Sequence, residues 1–82
     1  MKIKKKLAIS ESGFVFDPQS GESFSLNETG TEILNMMKEG KSDVEIRNHF
    51  LETYDVDESV FDRAFLDFTS MLKFYHIYDE NE

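Results

Sequence analysis

Between Leu26 and Ile33 the apolar pattern of this chain switches from the two-residue period of a strand to the helical period, with no loop between. Ser23-Phe24-Ser25-Leu26 alternates, with Phe24 and Leu26 on one face and both serines on the other. Asn27 is a good N-cap, Glu28 and Glu32 suit the positive end of a helix, and Ile33, Leu34 and Met37 form an apolar stripe. A strand that runs directly into a capped helix must share one small core with it. Such a junction fits a recognition module better than an enzyme, and it leaves the strand closing at Leu26 as a candidate for pairing with another chain.

The flanking segments complete the pattern. Ile3, Lys5, Leu7 and Ile9 alternate with Lys2, Lys4, Lys6 and Ala8, which predicts a half-buried first strand. Ser12-Gly13 breaks that run, Phe14-Val15-Phe16 is a second strand, and Asp17-Pro18-Gln19-Ser20-Gly21 is a turn. Gly40 closes the first helix in the C′ role. Ser42 and Glu45 form a capping box for a second helix, which turns Ile46, Phe50 and Leu51 inward. Tyr54-Asp55-Val56 is a connector, and Asp57 caps a third helix over residues 58–75. On that helix Val60, Phe61, Ala64, Phe65, Phe68, Met71, Leu72 and Tyr75 cover an arc of about 140°. The expected architecture is α+β and winged-helix-like: a three-stranded antiparallel sheet followed by a three-helix bundle. It forms one domain over 1–82, with a β meander over 1–26, three helices over 27–78 and a polar tail over 79–82.

Composition removes several classes of function. A chain of 82 residues buries little more than about 60% of its unfolded surface, leaving no room for a core and a deep catalytic cleft. The absence of cysteine excludes disulfides and thiolate metal sites and fits a reducing cytosol, so a cytoplasmic location is expected. No apolar run is long enough for a signal peptide or a membrane span. His49 and His76 lie on different elements, and Asp55 and Asp57 lack the glycine and terminal glutamate of a calcium loop, so neither catalysis nor a cofactor or metal is expected. Residues 1–10 hold four lysines and no acid, so the rest of the chain carries five basic against 17 acidic groups. The candidate recognition helices share this balance: Arg63 and Lys73 stand against Asp57, Glu58, Asp62 and Asp67, and Arg47 against Asp43, Glu45 and Glu52. Such surfaces repel a phosphate backbone, so neither nucleic acid nor membrane is an expected partner.

The sheet edges carry more information. In a meander the first and third strands are both edges, and proteins blunt unwanted edges with charge, above all lysine. The first strand carries Lys2, Lys4, Lys5 and Lys6, whereas the third carries only Glu22 at its start, with Ser23 and Ser25 along it. An open edge accepts an extended peptide whose backbone completes the ladder and whose side chains enter flanking pockets. The third helix offers a second wall. Ala64, Phe68 and Leu72 are expected in the core, and Phe61, Phe65 and Leu66 on an outer edge that stays partly exposed.

The order of strands, then Ser25-Leu26-Asn27-Glu28-Thr29-Gly30-Thr31-Glu32-Ile33-Leu34, then Glu39-Gly40-Lys41-Ser42, then Tyr54-Asp55-Val56-Asp57, resembles the PqqD family over about residues 13–77. The resemblance implies a RiPP recognition element: a peptide chaperone that binds the leader of a ribosomally made precursor peptide and delivers it to a tailoring enzyme, often a radical SAM protein. It implies a leader strand added beside the third strand and packed on the third helix. In this sequence that means Ser23, Phe24, Ser25 and Leu26, with Phe61, Phe65, Leu66 and Thr69 on the helix. The family often ends its last helix with a glycine; Tyr75-His76-Ile77-Tyr78 has none, which implies a differently shaped C-terminal wall. The expected function is leader binding by a monomer. A winged-helix DNA-binding regulator and an edge-strand homodimeric scaffold are the alternatives.

Overall fold

The computed structural model describes residues 3–77. The expected polar tail over 79–82, along with Lys2 and Tyr78, lies outside them. The order of elements is β1 (Ala8–Ile9), β2 (Phe14–Phe16), β3 (Ser23–Ser25), α1 (Glu28–Lys38), α2 (Asp43–Thr53) and α3 (Glu58–Phe74). The strands form one antiparallel sheet in the order β1-β2-β3. Ala8 faces Phe16 across the first pair, and Phe14, Val15 and Phe16 face Ser25, Phe24 and Ser23 across the second. The three helices follow the sheet, as the winged-helix-like expectation requires.

Local chemistry sets most of these boundaries. The β2–β3 turn is organised by Asp17, which accepts from the Gln19 amide at 2.9 Å, from the Ser20 hydroxyl at 3.1 Å and from Lys4 Nζ at 3.2 Å. Asp17 is 2% exposed. Burial pushes its carboxyl up, but these hydrogen bonds and the Lys4 charge outweigh burial and hold it below the ordinary value. Asn27 Oδ1 accepts the Gly30 amide at 2.8 Å, the Ser42–Glu45 capping box is closed in both directions, and Asp57 caps α3 through the Ser59 amide. α1 ends in a Schellman motif, with Gly40 and Lys41 amides donating to the Met37 and Met36 carbonyls.

The core joins both layers: Ile3 and Leu7 from the segment before β1, Val15 from β2, Ile33, Leu34 and Met37 from α1, Ile46 and Phe50 from α2, Phe61 and Leu72 from α3, and Ile77 beyond it. Gly13 ties the sheet to the β3–α1 junction. Its carbonyl accepts the Leu26 amide at 2.8 Å, its φ is 91°, and a Cβ there would lie 2.4 Å from the Leu26 carbonyl oxygen.

Two expectations need correction. The alternation from Ile3 to Ile9 does not make one continuous strand: Ile3 forms an isolated bridge, the chain turns at Lys5–Lys6, and only Ala8–Ile9 pairs with β2. Tertiary anchors at the Lys4 end override the period, since the Lys4 amide donates to the Ile77 carbonyl while its ammonium reaches buried Asp17. The apolar arc of α3 is also wider than its buried face. Val60 and Ala64 are exposed and Phe68 is only half-buried, because that side of the helix meets just the edge of β3 and the first turn of α1.

Candidate functional site

The hydrogen-bonding direction of β3 follows from its flanks. The Leu26 amide donates to Gly13, and the Asp17 amide donates to the Glu22 carbonyl at 2.9 Å. Hydrogen-bonded pairs alternate along an antiparallel ladder, so Phe24 and Val15 form the pair between these two. Ser23 and Ser25 therefore turn their amides and carbonyls away from β2, on the side where the sheet has no further strand. Among the described residues these outward groups have no hydrogen-bond partner. The other edge is closed where it meets the helices: the Leu7 amide donates to the Lys4 carbonyl, and Lys38 Nζ donates to the Leu7 carbonyl. One lysine from α1 thus reinforces the guarding that the N-terminal lysines suggested.

α3 runs beneath β3 and supplies the second wall. The Phe24 ring stacks on Tyr75, with centroids 4.7 Å apart and planes at 18°. One helical stretch back, Phe68 lies against Gly30, where a Cβ would come within 3.1 Å of its ring. A glycine inside the first turn of a helix costs roughly 1 kcal/mol relative to alanine, and here that cost accompanies a close approach of α1 to α3. Phe68 and Tyr75 of α3 thus contact the start of α1 and β3, and Ala64 and Met71 share their side of the helix, Met71 between them and Ala64 one turn before.

The eight residues proposed from sequence divide accordingly. Ser23, Phe24, Ser25 and Leu26 lie together on the edge strand and its exit, with the two serines outward and the two apolar side chains half-buried against the core. Phe61 is 6% exposed, which corrects its expected exposure. Its ring is held between Phe50 and Phe65 in a parallel stack with centroid spacings of 5.4 and 5.6 Å. Leu66 is 65% exposed, and Phe65 and Thr69 are half-buried. These three lie three, four and seven residues beyond Asp62, and so share its side of the helix. Asp62 is bound to Arg47 of α2 at 2.9 Å, so that side is turned toward α2 and away from β3. The sequence reading chose the edge carrying Phe61, Phe65 and Leu66; the close approach of Gly30 to Phe68 is the feature that sets Phe68 against the start of α1.

Electrostatics add one cluster near this wall. Glu32 accepts the Tyr54 hydroxyl at 2.7 Å and contacts His49 Nε2 with its other oxygen. Burial pushes the Glu32 carboxyl up, but Tyr54 and His49 outweigh it and hold it below the ordinary value. The same bond pushes the Tyr54 hydroxyl up. Among the described residues no group of three or more His, Asp or Glu is arranged to hold a metal ion.

The PqqD model, coenzyme PQQ synthesis protein D, matches residues 13–76. The chain belongs to the PqqD family. A solved structure described as TbiB1 in complex with the TbiA(beta) leader peptide shares the fold with a TM-score of 0.85 and 26% identity, over 98% of this chain and 96% of that one. No curated protein sequence matches. The PqqD match spans β2, β3 and all three helices, so it includes both walls of the open edge. No glycine follows α3, yet the helix still closes on a left-handed residue. His76 takes the C′ position with φ 56°, its amide and that of Ile77 donate to Lys73 and Leu72, and Leu72 and Ile77 are both fully buried. Among the described residues no helix is long and apolar enough to cross a membrane.

Proposed function

We propose that this PqqD-family chain is a non-catalytic peptide chaperone that binds the leader segment of a ribosomally synthesised precursor peptide by strand addition to β3 and presents it to a modifying enzyme. The observation that carries the reading is the pair Ser23 and Ser25, whose outward amides and carbonyls flank Phe24, the residue that stacks on Tyr75 of α3. A peptide strand laid there gains main-chain hydrogen bonds from the serines and apolar contact from the helix. The TbiB1 complex, with a leader peptide on a chain of the same family fold, supports the same class of ligand. The helix wall of the reading is Ala64, Phe68, Met71 and Tyr75, in place of Phe61, Phe65, Leu66 and Thr69.

The finer parts of the reading are a monomer acting in the cytoplasm and a radical SAM protein or another peptide-tailoring enzyme as the recipient. The acidic surface argues for a neutral or basic peptide. A free leader is disordered, so ordering it costs about 2–5 kcal/mol of the gross interaction. Affinity then rests on a few apolar side chains that fill the groove.

The test is an amide chemical-shift titration with synthetic peptides that span the N-terminal half of any short open reading frame found next to this gene. Shifts centred on Ser23–Leu26 and on α3 around Phe68 are expected, with the protein monomeric before addition. Shifts confined to β1 or α2 refute strand addition at β3. A concentration-dependent dimer that vanishes on Ser25→Pro assigns the edge to a second copy of the chain instead.

A further inference from the structure

The line of contact between β3 and α3 continues past Leu26 into α1. Phe24 meets α3 at Tyr75, and Gly30 meets it at Phe68. One turn further back, Ala64 and Thr29 both line a cavity of about 270 Å³ between the start of α1, the end of α2 and the start of α3. From Phe68 to Ala64 is about 6 Å along the helix, or roughly two residues of extended chain. A strand that pairs with Ser25 and keeps its direction reaches this cavity within a few residues.

The lining is divided by chemistry. Phe50, Tyr54 and Phe61 form an aromatic floor, with Phe50 at 5.3 Å from Tyr54 and 5.4 Å from Phe61, and Val60 adds an aliphatic wall. Glu28 and Glu32 also line the cavity. Both oxygens of Glu32 are engaged, by Tyr54 and His49. Glu28 is exposed and has no hydrogen bond or ion pair among the described residues.

We propose, resting on the strand-addition reading, that this cavity is a specificity pocket for a lysine or arginine side chain of the bound peptide, with Glu28 as the residue that reads its charge. A basic side chain satisfies both parts of the lining. Its methylene stem covers Val60 and Phe61, and its cationic head lies over aromatic faces and within reach of a carboxylate that has no other partner. A purely apolar side chain fills the same volume but takes water from Glu28 and returns no hydrogen bond. The positive end of α1 acts against a cation here, but its fractional charge is smaller than the two carboxylates, and Asn27 already occupies the Gly30 amide.

A fully randomised peptide library displayed on phage, selected in parallel against the wild-type chain, Glu28→Gln and Glu39→Gln, tests this. Glu39→Gln removes one negative charge at the far end of α1 and controls for net charge. The expected result is Lys or Arg at one fixed offset beyond the strand-pairing segment for wild type and Glu39→Gln, and its loss for Glu28→Gln. With a selected peptide, replacing that residue by norleucine should weaken wild-type binding about tenfold and leave Glu28→Gln within about threefold. An apolar residue at that offset, or a basic preference unchanged by Glu28→Gln, overturns the pocket assignment. If the selected peptides shift the Ser23 and Ser25 amides yet carry no basic residue there, the pocket proposal alone fails. If they bind without shifting those amides, strand addition fails with it.

Discussion

Proline at position 25 separates the folding role of β3 from its docking role. The Ser25 amide points out of the sheet, so Ser25→Pro removes no ladder bond, and edge strands tolerate proline on their outward side. A docked strand feels two changes. It loses one backbone hydrogen bond, worth about 0.5–1.5 kcal/mol net, and its own carbonyl is left facing a ring, at about 1–3 kcal/mol. The sum is about 1.5–4.5 kcal/mol, or roughly a 10- to 1,600-fold higher Kd. Phe24→Pro is the internal contrast. The Phe24 amide faces Val15, so proline there breaks the β2–β3 ladder and unfolds the sheet edge without any ligand. Fluorescence anisotropy with a labelled leader peptide gives the affinity, and thermal denaturation gives the stability of each variant. A Ser25→Pro protein that melts near wild type and binds within about threefold of it refutes docking at this edge, because no ladder survives loss of its central donor at so small a cost.

Other consequences are narrower. His76→Gly relieves the positive φ at the end of α3 and should stabilise by about 0.5–1 kcal/mol after the added unfolded-state entropy, raising Tm by a few degrees; a lower Tm means the His76 side chain does more than cap. Asp17→Asn leaves the Lys4 ammonium without its carboxylate and weakens the turn, so urea titration should show a loss of about 1–3 kcal/mol, and a change near zero removes Asp17 as the organiser of the β2–β3 turn. Asp17 and Glu32 both titrate below their ordinary values in the folded chain. Their contribution is therefore complete above the unfolded carboxylate values, about pH 4, and disappears as pH falls through the lower folded values. Denaturation midpoints followed downward from neutral pH should be flat and then drop, and the drop should be smaller in Asp17→Asn.

The elements readable from the sequence are those whose physics is local. Asn27 caps α1 through an amide three residues away, Ser42 and Glu45 cap α2 over the same spacing, and Gly40 closes a helix by its own φ. The β2–β3 turn is held by Asp17 against its own next four residues, apart from Lys4. The lysine asymmetry between the two edges does not survive as read, because Lys4, Lys5 and Lys6 precede β1 and the lysine that reaches that edge, Lys38, comes from α1. Even the sheet was legible, because tight turns leave consecutive strands few other partners.

The absolute orientation of each face lay beyond that range. A helical period fixes which residues of α3 share a side, but it does not say which side meets β3 and which meets α2. The Arg47–Asp62 pair and the contact of Phe68 with Gly30 set that rotation, and both join residues far apart in the chain. The same holds for the outward direction of Ser23 and Ser25, which follows from pairing with Gly13 and Asp17, and for a cavity assembled from three helices. Contacts within a few residues are written in the order of the side chains, whereas contacts across the fold depend on how the elements pack together, and that packing set which side of α3 lies against β3.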